Sequence, residues 1–200
     1  IWRQSGNTGW GWDDVLPYFI KAENQERGKS EFHGVDGPLS VSDQRIHLPL
    51  LDEFQNAAEE FGIPKSKDFN TGNNYGCGYF QVTQKNGFRC STSVGYLNPI
   101  KHRKNLKIIT NAHIKKINFE NKTAKEVEFW HGDELKKVQA NREIILSSGA
   151  IGSPQILQVS GIGNPEKLKK LGIDLVQNLN GVGENLHDHL MLRPIYKIQG

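Results

Sequence analysis

The chain has 200 residues, 36% hydrophobic and 24% charged, a balance that suits a globular protein and excludes a wholly disordered one. Twenty-five Lys and Arg against 22 Asp and Glu leave a net charge of +3, too small a surplus for a nucleic-acid binder. No apolar run reaches the ~18–20 residues that would cross a bilayer. Two cysteines, Cys77 and Cys90, are too few for a disulfide framework; one bridge between them is the alternative, and two free thiols in a reducing cytoplasm is the reading. The chain opens on Ile1-Trp2-Arg3-Gln4, with no initiator Met and no signal peptide, which predicts a segment of something longer.

In chain order, Trp2, Trp10 and Trp12 mark a turn-rich start. Asp13 or Asp14 is placed to cap a short helix carrying Val15, Leu16, Phe19 and Ile20, with Pro17 in its first turn. His33-Gly34-Val35-Asp36-Gly37-Pro38 reads as a turn into a short strand, Leu39 to Val41. From Leu48 to Phe61 the residues Leu48, Leu51, Phe54, Ala58 and Phe61 recur at spacings of three and four. That pattern predicts a helix, closed by Gly62 and Pro64. Residues 66–90 have no clear period; a polar stretch of that length is functional or belongs with something outside it. Ser91 is placed to cap a short helix through Val94 and Leu97 that stops near Pro99.

After Pro99 the texture changes to strands: Leu106–Thr110, His113–Phe119, Glu126–Trp130, Leu135–Val138 and Glu143–Leu146, joined by short polar turns. The middle ones predict an antiparallel meander, and Ile144-Ile145-Leu146 a strand covered on both faces, as in a parallel sheet. Ser147-Ser148-Gly149-Ala150-Ile151-Gly152 then turns into a helix with Ser153 as its cap and Pro154 as its first residue. Small residues here admit a ligand to the unpaired N–H groups of a helix start; equally, a tight corner needs them for steric reasons alone. The helix Gln155–Val159 ends at Gly161, Pro165 begins another that Gly172 closes, and Asp174-Leu175-Val176 reads as a strand. The fold class is α/β, a mixture of helix with a substantial antiparallel part.

Several chemistries are missing. Gly181-x-Gly183 and Gly161-x-Gly163 place Leu186 and Glu166 where a dinucleotide fingerprint needs its third glycine, and no serine sits in G-x-S-x-G. His187 and His189 flank Asp188, which invites a metal, but no second cluster supplies further ligands; a hydrogen-bonded turn is the reading, with no metal. The histidines at 33, 47, 102, 113 and 131 are scattered and read as surface or satisfied core residues. The basic groups Lys101-His102-Arg103-Lys104 and Lys167, Lys169, Lys170 read as solvated faces.

One long motif is far more specific. Gly149-Ala150-Ile151-Gly152-Ser153-Pro154-Gln155-Ile156-Leu157-Gln158-Val159-Ser160-Gly161-Ile162-Gly163 resembles, at every fixed position, the second signature of the glucose–methanol–choline (GMC) flavin oxidoreductases. Gly9-Trp10-Gly11-Trp12-Asp13-Asp14-Val15-Leu16-Pro17-Tyr18-Phe19, His33-Gly34-x-Asp36-Gly37-Pro38-Leu39, Arg89-Cys90-Ser91-Thr92-Ser93 and Gly181-Val182-Gly183-Glu184-Asn185-Leu186-His187-Asp188-His189 fit the same family in the right order.

The resemblance implies an FAD-dependent enzyme that oxidises an alcohol to a carbonyl compound, with oxygen, a quinone or a carrier protein as electron acceptor. It implies that Ile114 meets the adenine end of FAD through its backbone. Ser148, Gly149 and Ala150 would line the adenosine side, with Asn185, Asp188 and His189 supporting the site. It places the pyrophosphate-holding glycine loop before Ile1 and the catalytic His after Gly200, so no catalytic residue is expected in this chain and the segment alone is expected to be inactive. Residues 1–87 are assigned to the substrate side, 88–190 to the FAD-binding domain, and 191–200 to the start of the substrate-domain sheet. Choline-oxidising members resemble one another in a D-H-x-E run; here it reads Asp188-His189-Leu190-Met191. With a thioether at Met191 in place of a carboxylate, a cation loses its partner on the substrate side, which favours a neutral primary alcohol over choline. The expected partners are a small alcohol and an electron acceptor, with no nucleic acid and no transmembrane segment. The expected location is the cytoplasm, with membrane association of the longer protein left open. Two rivals remain, a non-catalytic relative that uses the fold as a binding module and a metal-dependent hydrolase built on His187 and His189.

Overall fold

The computed structural model describes residues 1–197 and divides the chain into two units, Ile1–Lys107 and Ile108–Gly200. In the first, helix α1 spans Trp12–Ala22 and runs directly into strand β1, Glu23–Gln25. Asp14 Oδ2 accepts the Gly11 N–H at 2.9 Å, and Asp13 and Asp14 at the start with Lys21 at the end match the helix dipole. The helix begins earlier than the caps in the sequence suggest, so Pro17 is its sixth residue rather than part of its first turn.

Strand β2, Leu39–Val41, pairs in parallel with β1, and the turn between them explains its glycines. A Cβ at Gly34 would sit 1.7 Å from the Ile20 carbonyl oxygen, and one at Gly37 would sit 2.4 Å from that of Glu23. The turn is thus laid backbone to backbone across the end of α1, which only glycine allows. Helix α2, Pro49–Glu60, forms where the three–four spacing predicts it. Its Leu51 and Phe54 are exposed. Within 66–90, strands β3 (Gln84–Lys85) and β4 (Phe88–Arg89) make a small hairpin. Its turn residues Asn86 and Gly87 both have positive φ, 52° and 80°, as a primed hairpin turn requires. Ser91 Oγ then accepts the Val94 N–H at 3.3 Å at the head of a wide π-type turn, Ser93–Leu97.

The second unit is built on an antiparallel meander, β5 (Ala112–Glu120), β6 (Thr123–His131) and β7 (Glu134–Gln139). A bulge in β5 falls between Ile114 and Lys116. Glu128 on β6 is buried, 6% exposed. It accepts from Asn118 Nδ2 at 2.9 Å and lies 2.8 Å from Lys137 Nζ and 3.4 Å from Lys115 Nζ. The hydrogen bond from Lys137, joined by that from Asn118, holds its carboxyl down to about 2. Helix α3, Gly149–Val159, packs on β5, and Ile117, Phe129 and Ile156 are buried. Strand β8 (Ile162–Gly163), helix α4 (Pro165–Lys170) and strand β9 (Gln177–Asn178) make a small parallel crossover around Leu168, which is 1% exposed. Asn164 Oδ1 caps α4 by accepting from the N–H groups of Glu166 and Lys167.

Mixed helix and strand agree with the expected fold class; four local expectations are corrected. Leu106–Thr110 and Glu143–Leu146 form no strand among the described residues, because an apolar run favours extended backbone but a strand also needs a ladder partner. Asp174–Val176 is likewise outside the ladder, which forms one step later at Gln177–Asn178. Helix α3 starts at Gly149, so Pro154 is its sixth residue. Ser153 Oγ, inside the helix, accepts the Ser148 N–H at 3.0 Å. Residues 191–197 are coil, and 198–200 of the expected sheet segment lie outside the described residues.

Candidate functional site

Both ends of α3 are specialised, and the two ends do different work. At the start, Ser148, Gly149 and Ala150 are exposed. Gly149 has a φ of 81°, and a Cβ there would meet nothing within 4 Å. The first N–H groups of an eleven-residue helix therefore open onto free space beside a serine, a set of neutral donors and partial positive charge. Such donors suit a sugar hydroxyl or a phosphate oxygen.

At its far end α3 is locked to the sheet. Ser160 Oγ accepts the Ile117 N–H of β5 at 2.8 Å and donates to the Ile156 carbonyl at 2.6 Å. Gly161 follows with a φ of 89°, and a Cβ there would lie 2.5 Å from the Asp174 carbonyl. Its own carbonyl accepts from Val176 at 2.8 Å. This junction fixes α3 against β5, the strand that carries Ile114. Ile114 is half-buried and pairs with Phe129 immediately before the bulge.

The segment 180–191 returns to the same helices. Gln158 Nε2 donates to the Val182 carbonyl at 3.1 Å, Asn164 Nδ2 to Asn180 Oδ1 at 3.1 Å, and Lys167 pairs with Glu184. Beyond these tethers Asn185 takes a φ of 54°, and Asp188 Oδ1 accepts the His189 N–H at 2.8 Å. Met191 is exposed, its Sδ 3.1 Å from Arg193 Nε. No side-chain hydrogen bond among the described residues joins Asn185, Asp188, His189 or Met191 to Ser148–Ala150 or Ile114. Nor do the described residues contain a group of three His, Cys, Asp or Glu side chains that could hold a metal ion.

Sequence reasoning passed over two features. Gln158 and Asn164 carry no motif signal of their own, since a glutamine at a free position of a signature is not distinguishable from a surface one. In the first unit His33 is 7% exposed. Its Nδ1 is 2.9 Å from Glu23 Oε2 and its Nε2 is 2.9 Å from Asp68 Oδ2, the second contact lying off the hydrogen-bonding axis. Nearby, Gln81 Nε2 and Arg27 both reach Asp43 at 2.8 Å. Burial works to raise the Asp43 pKa, but Arg27 and Gln81 outweigh it and leave it lowered. His33 and Glu23 also line a cavity of about 620 Å³ walled by Trp12, Phe19, Phe32 and Phe69. The carboxylate partners stand 10 and 35 residues from His33, beyond any local pattern.

Comparison with known proteins bears on the whole chain. A family model described as "GMC oxidoreductase" matches residues 1–191. An oxygen-dependent choline dehydrogenase of Vibrio vulnificus is 44% identical over 191 residues, covering 94% of this chain and 34% of that protein. An alcohol dehydrogenase (acceptor) of Pseudomonas putida is 42% identical over 192 residues, covering 94% and 35%. Among solved structures, an FAD-dependent oxidoreductase from Chaetomium thermophilum superposes with a TM-score of 0.84 at 32% identity, over 94% of this chain and 35% of that one. The chain thus spans about a third of the length of the curated relatives it matches.

Proposed function

The chain belongs to the GMC oxidoreductase family, and from that premise we propose that it serves an FAD-dependent oxidation of an alcohol CH–OH group to a carbonyl. The observation that carries this reading is the open start of α3, where exposed Gly149 and Ala150 leave backbone donors free and no Cβ obstructs an approaching group. In this reading Ser148, Gly149 and Ala150 hold the adenosine side of FAD, the Ile114 backbone meets the adenine, and Asn185, Asp188 and His189 support the site. The flavin supplies a two-electron acceptor for the carbinol hydride, while the protein orients the alcohol and excludes water. The hydroxyl proton goes to a base that we place outside these residues, as we place the pyrophosphate loop. Residues 1–87 then face the substrate, and 88–190 belong with the cofactor.

Within that reaction we propose a neutral primary alcohol as substrate. Met191 stands where a carboxylate would meet a quaternary ammonium, and Arg193 Nε is 3.1 Å from its sulfur. A guanidinium there repels an organic cation instead of pairing with it. The second reading, choline, is favoured by the 44% identity to a choline dehydrogenase. The full-length protein, assayed by dye reduction with a series of primary alcohols and with choline, decides between them. A kcat/KM for choline above that of every neutral alcohol sinks the neutral-alcohol reading, and a purified protein without a flavin absorption band sinks the oxidoreductase reading.

A further inference from the structure

The Gly181–Gly183 turn is held from one side by a single side chain. Gln158, on the last turn of α3, is half-buried and donates through Nε2 to the Val182 carbonyl. The same amide occupies the space beside Gly183. A Cβ there would lie 2.4 Å from Gln158 Nε2 and 3.3 Å from its Cδ, and Gly183 has a φ of 80°. Glycine at 183 and glutamine at 158 therefore fit one another: the missing side chain makes room for the amide, and the amide fixes the carbonyl next to it. Two residues on, Asn185 holds a left-handed φ of 54°, a conformation that asparagine adopts more readily than most residues.

We infer that Gln158 is a positioning residue, which sets the Gly183–Glu184–Asn185 backbone and through it the placement of Asn185, Asp188 and His189. The inference rests on the proposed function for what that segment faces, but the clamp itself rests on the contact alone. It couples the end of α3 to the segment and leaves the start of α3 free. The same helix that offers Gly149 and Ala150 at one end thus orients Asn185 from the other. Lys167 with Glu184 and Asn164 with Asn180 flank the clamp, but both of those contacts are exposed and compete with water.

The test uses the full-length protein. Gln158→Met keeps the length and most of the volume of the side chain and removes the amide. If the amide positions the segment, flavin release on dilution, followed by recovery of flavin fluorescence, becomes about three- to tenfold faster, the range set by one amide–carbonyl hydrogen bond. A side chain that merely fills space predicts release at the wild-type rate, which would overturn the inference. A thermal-stability cycle with Gly183→Ala and Gln158→Ala supplies a readout independent of flavin. In the wild type a methyl at 183 must push the amide off Val182; with Gln158 already truncated only the backbone strain is left. The double variant is therefore expected to melt higher than the sum of the two single losses predicts. Losses that add would overturn the contact on which the clamp depends. A full-length protein that carries no flavin overturns the proposed function, and the cycle still decides the clamp.

Discussion

The signature serines offer a sharp test, because the same side chain does the same thing at two sites of different burial. Ser160 Oγ accepts the N–H of Ile117, and both residues are 6% exposed. Ser153 Oγ accepts the N–H of Ser148 at an exposed helix start. In Ser160→Ala the Ile156 carbonyl keeps a partner, since the Ser160 N–H reaches it at 3.1 Å. The Ile117 N–H loses its acceptor in a place water does not reach. Leaving one buried donor unpaired costs about 1–3 kcal/mol, which is roughly a 5- to 150-fold change in a local equilibrium. In Ser153→Ala water takes over, and the cost falls to about 0.5 kcal/mol or less, as for an ordinary surface change. The assay is amide hydrogen exchange, which reads the local opening itself, on the peptide that spans Ile117 in the full-length protein. Ser160→Ala is expected to accelerate that peptide's exchange by at least about fivefold, with Ser153→Ala leaving it unchanged. Equal effects of the two substitutions would refute the argument that burial, and not the hydrogen bond by itself, makes Ser160 matter.

Gly34→Ala drives a methyl into the Ile20 carbonyl at 1.7 Å, backbone against backbone, and is expected to cost more than about 4 kcal/mol. Gly87→Ala, with a positive φ but open space around it, should cost only about 1–2 kcal/mol; soluble yield and melting temperature of the two variants compare them directly. Glu128, whose folded pKa of about 2 lies below its ordinary 4.5, contributes stability that is fully present above pH 4.5 and is lost as pH falls toward 2. The stability gap between wild type and Glu128→Gln, measured by denaturant titration at stepped pH, should therefore close across that window. A gap that does not change with pH would refute it. Asn164→Ala removes the cap of α4 and should cost about 0.5–2 kcal/mol, seen as faster amide exchange at Glu166 and Lys167.

Elements whose causes are local were legible. The three–four spacing of Leu48 to Phe61 gave α2 almost to the residue, and the strand-like runs after Pro99, separated by polar turns, gave the three strands of the meander. The Asn86-Gly87 hairpin was not foreseen, because strands of two residues on either side leave no run to notice. Ile144-Ile145-Leu146 shows the opposite failure. Its composition describes a strand buried on both faces, yet a strand is a relation between two segments, and nothing in a hydrophobic run names the other one. The start of α3 was misplaced for a similar reason. Ser153-Pro154 has the composition of a cap followed by a first residue, and only the structure shows that the serine sits inside the helix.

The candidate site divides along the same line. Residues that the proposed function has a ligand approach through backbone, Gly149 and Ala150, are visible because the requirement is on residue size, and size is written in the sequence. Residues that hold the site in place are invisible because their partners are distant: Gln158 with Val182 at 24 positions, Ser160 with Ile117 at 43. A motif therefore reports where a backbone must come close and says little about what keeps it there. In this chain the two roles share one helix. The constraints on its glycines concern the approach at Gly149 and the exit at Gly161, while the side chains of Gln158 and Ser160, on the last turn, tie that exit to the returning turn and to the strand. A substitution at Ile156 or Leu157 alters packing that both ends share, whereas one at Gln158 reaches the segment from Asn185 to His189 and leaves the start of the helix where it is.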